Sequence, residues 1–348
     1  MINRRTAIQS ALAAALAAAA PASAHNHTER RALRKPKRLR NGQTVGIIAP
    51  ASNVSEFESI EMAADIVRSL GFEVKKGANL YERSNYLAGD DRGRADDVNA
   101  MFADDSVDAI FCLRGGYGTS RMLPYLDFET IGKNPKIILG YSDITALLNA
   151  IHKNTGLVTF HGPIALQNFT DYTLGEYRKV LVEPSPRTVI GQAPPFDGRP
   201  GLIDKTNRLT RIVGGKARGP LIGGNLSLLA AIHGTPYEPD YEGAILFLED
   251  VDEAPYRVDR MLTQLWLAGA LEKVAGVAIG KFTDTDGYDG NEFSMEDVIR
   301  MRFEPLGVPT IRGLMIGHVD DQTTVPLGVQ AELDVDAGTL TLLEAAVS

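Results

Sequence analysis

Three residues able to share a proton stand in the order serine, carboxylate, histidine along this chain. Ser142 lies in Lys136-Ile-Ile-Leu-Gly-Tyr-Ser-Asp-Ile-Thr145, where apolar, β-prone residues run into Gly140 and a helical pattern begins at Asp143. A strand, a sharp turn and a helix would lift the hydroxyl clear of the sheet, with the next backbone N–H facing the same space. That makes Ser142 a candidate nucleophile; the alternative is that Ser142 or Asp143 only caps the helix. Glu249 ends the apolar run Ile245-Leu-Phe-Leu-Glu-Asp-Val251. The acids there, Glu249 to Glu253, fit a solvated helix start as well as an orienting carboxylate. A metal site is disfavoured, because no histidine lies within helical spacing of them. His318 follows Gly317 after the apolar Met315-Ile316. Among the six histidines, His25 and His27 fall in a polar stretch, His152 lies in a helical pattern, and His233 adjoins Gly234 at a helix end. His161, ending a strand pattern, is the one rival base. Ser142, Glu249 and His318 are separated by 107 and then 69 residues. A serine needs a base to take its proton, and an imidazole needs a carboxylate to fix its tautomer, so all three types are present for acyl transfer.

A second motif, Arg114-Gly-Gly-Tyr-Gly118, follows a strand pattern. Its glycines would let backbone N–H groups approach a ligand. It has neither the ending of a P-loop nor the spacing of a dinucleotide fingerprint. Beside a nucleophilic Ser142 it reads better as an oxyanion hole than as a phosphate cradle.

These residues need elements to hold them. Strand patterns at 44–49, 72–74, 109–113, 136–139 and 158–160 alternate with helical patterns at 55–70, 96–102 and 146–152. Such alternation implies parallel βαβ units, with sites at the carboxyl ends of the strands. Pro184-Ser-Pro186, Pro194-Pro195 and Gly198-Arg-Pro200 break any long element and suggest a linker. The expected organisation is a domain at 42–170 bearing the serine, a linker at 171–205, and a domain at 206–348 carrying Glu249 and His318. The second domain shows strand patterns at 209–213, 244–247, 274–279, 331–335 and 339–343, and helical ones at 226–232, 257–268 and 295–303.

Hydrophobic content of 44% and charged content of 23% fit a globular core. The net charge of −8 argues against a nucleic-acid partner. The single cysteine, Cys112, excludes an intrachain disulfide and reads as a buried strand residue. Arg4-Arg5, an Ala/Leu run to Ala20 and Pro21-Ala-Ser-Ala24 form a signal peptide over 1–24, too short to span a membrane. Cleavage after Ala24 removes two arginines and no acid, taking the charge from −8 to −10. The leader implies export, to the periplasm, by a Sec or twin-arginine route, with no membrane insertion afterwards. Residues 25–41 read as a disordered, basic lead-in.

The motifs Gly140-Tyr-Ser-Asp-Ile-Thr145, Arg114-Gly-Gly-Tyr-Gly118, Gly223-Gly-Asn-Leu226, Leu248-Glu-Asp250 and Gly317-His318 together resemble the LD-carboxypeptidase family of serine peptidases. Pro36-Lys-Arg-Leu-Arg40 and Thr44-Val-Gly-Ile-Ile-Ala-Pro-Ala-Ser52 resemble its opening. The resemblance implies a flavodoxin-like α/β domain followed by a mixed, barrel-like domain, with the site in the cleft between them and a homodimeric assembly. It implies Ser142 as nucleophile, His318 as general base and acid, and Glu249 as the orienting carboxylate. It places the oxyanion hole at Asp143 and at Gly115 or Gly116, without metal or organic cofactor. The implied reaction releases D-Ala from a murein tetrapeptide; family members that cleave acyl-sulfamoyl or peptide-nucleotide amides supply the alternative. Ile144 stands where α/β-hydrolases have glycine, so the turn is the family's own. The murein recyclers of the family are cytoplasmic, whereas this leader implies export. Arg257 and Arg260 are candidates for the substrate's terminal carboxylate, although pairing with Glu253 or Asp259 also accounts for them. Tyr117 and Asn225 are candidates to line the cleft. A two-lobed exported chain also fits a solute-binding protein without chemistry.

Overall fold

The structure, a computed structural model, describes residues 31–285 and 292–348. The expected signal peptide and residues 25–30 of the lead-in lie outside the described residues. The first half runs β1 (Thr44–Ile48), α1 (Glu58–Ser69), β2 (Glu73–Lys76), α2 (Asp91–Ala103), β3 (Ala109–Cys112), α3 (Thr119–Met122), α4 (Phe128–Lys133), β4 (Ile137–Gly140), α5 (Ile144–Thr155) and β5 (Phe160–His161). Every residue of β3 and β4 is buried, as required of strands covered on both faces. The five strands pair in parallel in the order β2-β1-β3-β4-β5, the flavodoxin-like order. In α1, Ile60, Ala63, Ala64 and Val67 make one buried stripe, with Glu58 and Glu61 in the first turn and Arg68 in the last, charges that suit the helix dipole. Helix α5 ends at Gly156, whose φ of +74° suits a left-handed stop.

The second half holds α6 (Asp171–Leu181), β6 (Thr188–Ile190), β7 (Thr210–Val213), β8 (Lys216–Asn225), α7 (Leu226–Ile232), β9 (Ile245–Val251), α8 (Pro255–Leu267), β10 (Gly276–Thr283), α9 (Met295–Phe303), β11 (Thr310–Arg312), β12 (Val325–Pro326), β13 (Gln330–Asp334) and β14 (Thr339–Leu342). Eight of these strands form a mixed sheet, β6-β14-β13-β8-β9-β10-β11-β7, with β8 to β11 parallel and the flanking pairs antiparallel. Strand β12 leaves this sheet and pairs antiparallel with β5, becoming the sixth strand of the first. One apolar core extends from the first sheet, through Ile48, Phe111 and Leu139, to Phe247, Ile311 and Leu333 of the second. A second cluster packs α7, α8 and α9 on the second sheet through Leu229, Leu262, Leu265 and Ile299.

Two expectations are corrected here. Segment 171–205 is not a bare linker: it contains α6 and β6, the latter paired with β14. Its prolines flank β6 instead of interrupting it. Within the lead-in, residues 34–39 are ordered against the body. Pro36 and Leu39 are buried, and the Arg34 and Leu39 N–H groups donate to Gly156 O and Leu181 O at 2.8 Å each. These two apolar side chains, the backbone hydrogen bonds and the Lys35–Glu344 ion pair at 2.6 Å anchor the stretch.

Candidate active site

Strand β4 delivers Ser142 to the carboxyl edge of the first sheet in a strained turn. Its φ of +64° places a non-glycine residue in the left-handed region, at a cost of order 1–3 kcal/mol that the surroundings must sustain. The capping alternative does not hold for Asp143, because the start of α5 has no side-chain cap. The buried Asp143 carboxylate instead accepts from the Thr119 N–H and hydroxyl, each at 2.8 Å. Burial pushes its pKa above the ordinary value, against the hydrogen bonds from Thr119. This contact fastens the glycine loop to the serine turn.

The two glycines of that loop are required for different reasons. A Cβ on Gly115 would lie 2.8 Å from Ser142 Cβ and 3.0 Å from its Oγ. On Gly116, at φ +112°, it would collide with Ser52 Oγ. Ser52 Oγ also accepts from the Tyr117 N–H at 3.0 Å. The buried Arg94 guanidinium donates to Pro50 O at 2.6 Å and Gly118 O at 2.8 Å, clamping the loop from behind. Gly115 and the backbone of Asp143 therefore face the serine, and Gly116 lets the loop fold back. Tyr117 is half exposed and meets Tyr86 edge to face at 5.6 Å.

The second half supplies Glu249 and His318. Glu249 on β9 is fully buried, and its Oε2 lies 2.8 Å from His318 Nδ1. An ionised carboxylate can only accept, so Nδ1 carries the proton and Nε2 is left as the basic nitrogen. Glu249 Oε1 has no hydrogen-bond partner among the described residues. Gly317, at φ +120°, allows the approach: a Cβ there would lie 2.8 Å from Glu249 Cβ. Gln322 Nε2 donates to Gly317 O at 2.8 Å and holds the segment. The His318 ring meets the Tyr141 ring edge to face at 4.8 Å, and Tyr141 directly precedes Ser142.

Two clamps bring the halves together. Asn149 Nδ2, on α5, donates to Gly223 O at 3.0 Å, and the Asn225 N–H donates to Thr145 Oγ1 at 3.0 Å. Opposite Glu249, β10 is irregular. Ile279 pairs with Leu248 and Phe282 with Asp250, so Gly280 and Lys281 together face Glu249 as a bulge.

Other expected residues have structural partners. Asn225 is buried; its carboxamide accepts from Leu228 N and donates to Asp250 Oδ1 at 2.8 Å, capping α7. Asp250 also accepts from Ser227 N and Oγ, and burial, then the neighbouring Glu249, raise its pKa. Arg257 lies 3.7 Å from Glu253, and both Arg257 and Arg260 sit over the Tyr256 ring. His161, the rival base, is fully buried, and neither ring nitrogen has a partner among the described residues. Burial, with a smaller contribution from His318, drives its pKa down to about 3. It packs edge to face on Tyr141 and Phe247 and cannot reach solvent as a base. No cluster that could hold a metal ion occurs among the described residues.

Residues 45–162 match the LD-carboxypeptidase N-terminal domain, and residues 218–333 match the LD-carboxypeptidase C-terminal domain. The chain is 41% identical over 320 residues to the "Probable murein peptide carboxypeptidase" of Bacillus subtilis, covering 90% of this chain and 95% of that one. It is 31% identical over 300 residues to the "Murein tetrapeptide carboxypeptidase" of Pseudomonas aeruginosa, covering 83% and 92%. A solved structure of the microcin C7 self immunity protein MccF in complex with aspartyl sulfamoyl adenosine superposes with a TM-score of 0.81 at 27% identity, covering 90% of this chain and all of that one.

Proposed function

The chain belongs to the LD-carboxypeptidase family and is a serine-type carboxypeptidase, and we propose that it hydrolyses the L,D-peptide bond of murein tetrapeptide with Ser142, His318 and Glu249 as its triad. One observation carries this reading: a fully buried carboxylate fixes the imidazole beside the turn that strains Ser142. Ser142 Oγ attacks the carbonyl carbon before the terminal D-residue while His318 Nε2 takes its proton. Glu249 stabilises the imidazolium that results. Backbone N–H groups of Asp143 and the Gly115–Gly116 pair take the charge on the tetrahedral oxygen. His318 then protonates the departing amine, and D-Ala leaves. Water, activated by His318, adds to the acyl-enzyme and frees the tripeptide. No step requires a metal or an organic cofactor.

A second substrate class is favoured by one feature, the Tyr86–Tyr117 pair beside the glycine loop. An exposed aromatic pair there could stack a nucleobase, as an aminoacyl-nucleotide amide would require. The non-catalytic binding-protein alternative is set aside by membership of a peptidase family. The leader, whose composition is that of an export signal, supports action outside the cytoplasm, and a homodimer is proposed from the family resemblance. Mass spectrometry of murein tetrapeptide incubated with the mature protein tests the central reading. Loss of one D-Ala with wild type and a kcat at least 1,000-fold lower with Ser142→Ala is the expected result. Intact tetrapeptide after wild-type treatment rejects it.

A further inference from the structure

A cavity of about 370 Å³ has a lining that includes Lys205, Arg208, Lys281, Arg312 and Val319, the residue that follows His318. Its position is not incidental. Lys281 belongs to the β10 bulge that opposes Glu249, and the Lys281 N–H donates to Ile316 O at 2.9 Å. Gly280 packs so closely on Ile316 that a Cβ there would collide with the Ile316 carbonyl. The same chain continues through Gly317 and His318 to Val319, in the cavity wall. Arg312 pairs with Ile279, immediately before the bulge. The cavity therefore opens at the carboxyl ends of β10 and β11, next in the chain to the segment that carries His318.

Its cations are under-compensated. Lys281 Nζ donates to Thr206 O at 3.0 Å and Asn207 Oδ1 at 3.3 Å, leaving one of its three N–H donors. The Arg312 side chain is half-buried and makes no hydrogen bond or ion pair among the described residues. The acids acting on them are Asp204 for Lys281 and Glu296 for Arg312; burial outweighs these and lowers both pKa values. A guanidinium and an ammonium facing one ligand-sized cavity suit a carboxylate.

We infer that Lys281 and Arg312 form the subsite that binds the substrate's C-terminal carboxylate, next to the bond being cut. The inference rests on the carboxypeptidase reading above. It also gives a physical reason for exopeptidase specificity, since an internal peptide unit has no charge to place there. Arg257 and Arg260, in contrast, already share Tyr256, and Arg257 has Glu253 nearby.

The experiment compares tetrapeptide with a free C-terminus against the same peptide amidated there, using wild type, Lys281→Met, Arg312→Gln, Arg312→Lys and the Arg257→Gln/Arg260→Gln pair. Wild type should favour the acid at least tenfold in kcat/KM. Arg312→Gln and Lys281→Met should raise KM for the acid at least tenfold, with kcat within threefold, and bring the acid-to-amide ratio below two. Arg312→Lys should recover part of the ratio. A ratio unchanged in both single variants, or lost only in the Arg257/Arg260 pair, overturns the inference. Calorimetry with N-acetyl-D-alanine separates this subsite from the reaction. Charge-dependent binding without turnover by wild type would reject the murein reading and keep the subsite. Binding that is absent, or unaltered by Arg312→Gln in folded protein, would reject the subsite.

Discussion

At the scale of single residues, the acid of the pair makes the sharpest demand. Glu249 has one oxygen on His318 Nδ1 and the other without a partner among the described residues, in a buried site, so in the proposed triad its carboxylate charge is directed at the His318 ring. Glu249→Gln keeps the shape and removes that charge. Its kcat should fall about 10³–10⁴-fold, with KM changed little, in steady-state assays. A fall of less than tenfold would detach Glu249 from the chemistry. His161 supports a different prediction, in stability. Its folded pKa, about 3, lies below the usual 6.5, so the unfolded chain binds the extra proton. The contribution of a neutral His161 is complete above pH 6.5 and is lost as pH falls from there toward 3, at up to about 1.4 kcal/mol per pH unit. Urea unfolding of His161→Phe should therefore show a flatter pH dependence than wild type between pH 6 and 4; parallel curves would show that other groups carry the acid sensitivity. The turn that carries Ser142 and the strand that carries Glu249 were legible in the sequence, because an apolar run marks each of them. The commitment of Asn225 to Asp250 and the complete burial of His161 were not, since both depend on elements distant in the chain.

At the scale of elements, the sequence hid the strand on which the halves meet. Strand β8 spans Lys216–Asn225, yet Gly219, Pro220, Gly223 and Gly224 interrupt its β-prone pattern. Those residues serve close packing: a Cβ on Gly224 would lie 2.5 Å from Thr145 Oγ1, on the helix behind the serine. The carboxamide of Asn149 spans the same seam, donating to both Thr145 O and Gly223 O. Asn149→Ala leaves the Gly223 carbonyl without this donor and should destabilise the protein by about 1–3 kcal/mol in urea denaturation. A change below about 0.5 kcal/mol would show that the seam relies on apolar contact alone. The β10 bulge was equally invisible, because the apolar run from Val274 to Ile279 gives no notice that Gly280 and Lys281 will share one partner. A register can be read from a sequence only where the hydrophobic alternation continues.

At the scale of the molecule, the two matched family domains do not correspond to two separable sheets. Strand β12 returns from the second half to cover the edge of β5, and the apolar core crosses from one sheet to the other. A fragment of residues 31–205 would expose that edge and the apolar surface above Phe111 and Leu139. We expect it to be insoluble or to lack a cooperative unfolding transition by circular dichroism; a soluble, cooperative fragment would show that the first sheet is self-sufficient. The same return of the chain acts in time. During synthesis β5 is complete about 160 residues before β12 exists. At the usual rate of about 5–20 residues per second, the edge therefore waits on the order of 8–30 s for its partner. An open strand edge is a template for mispairing, so the interval between these two short strands marks when this polypeptide most needs a chaperone.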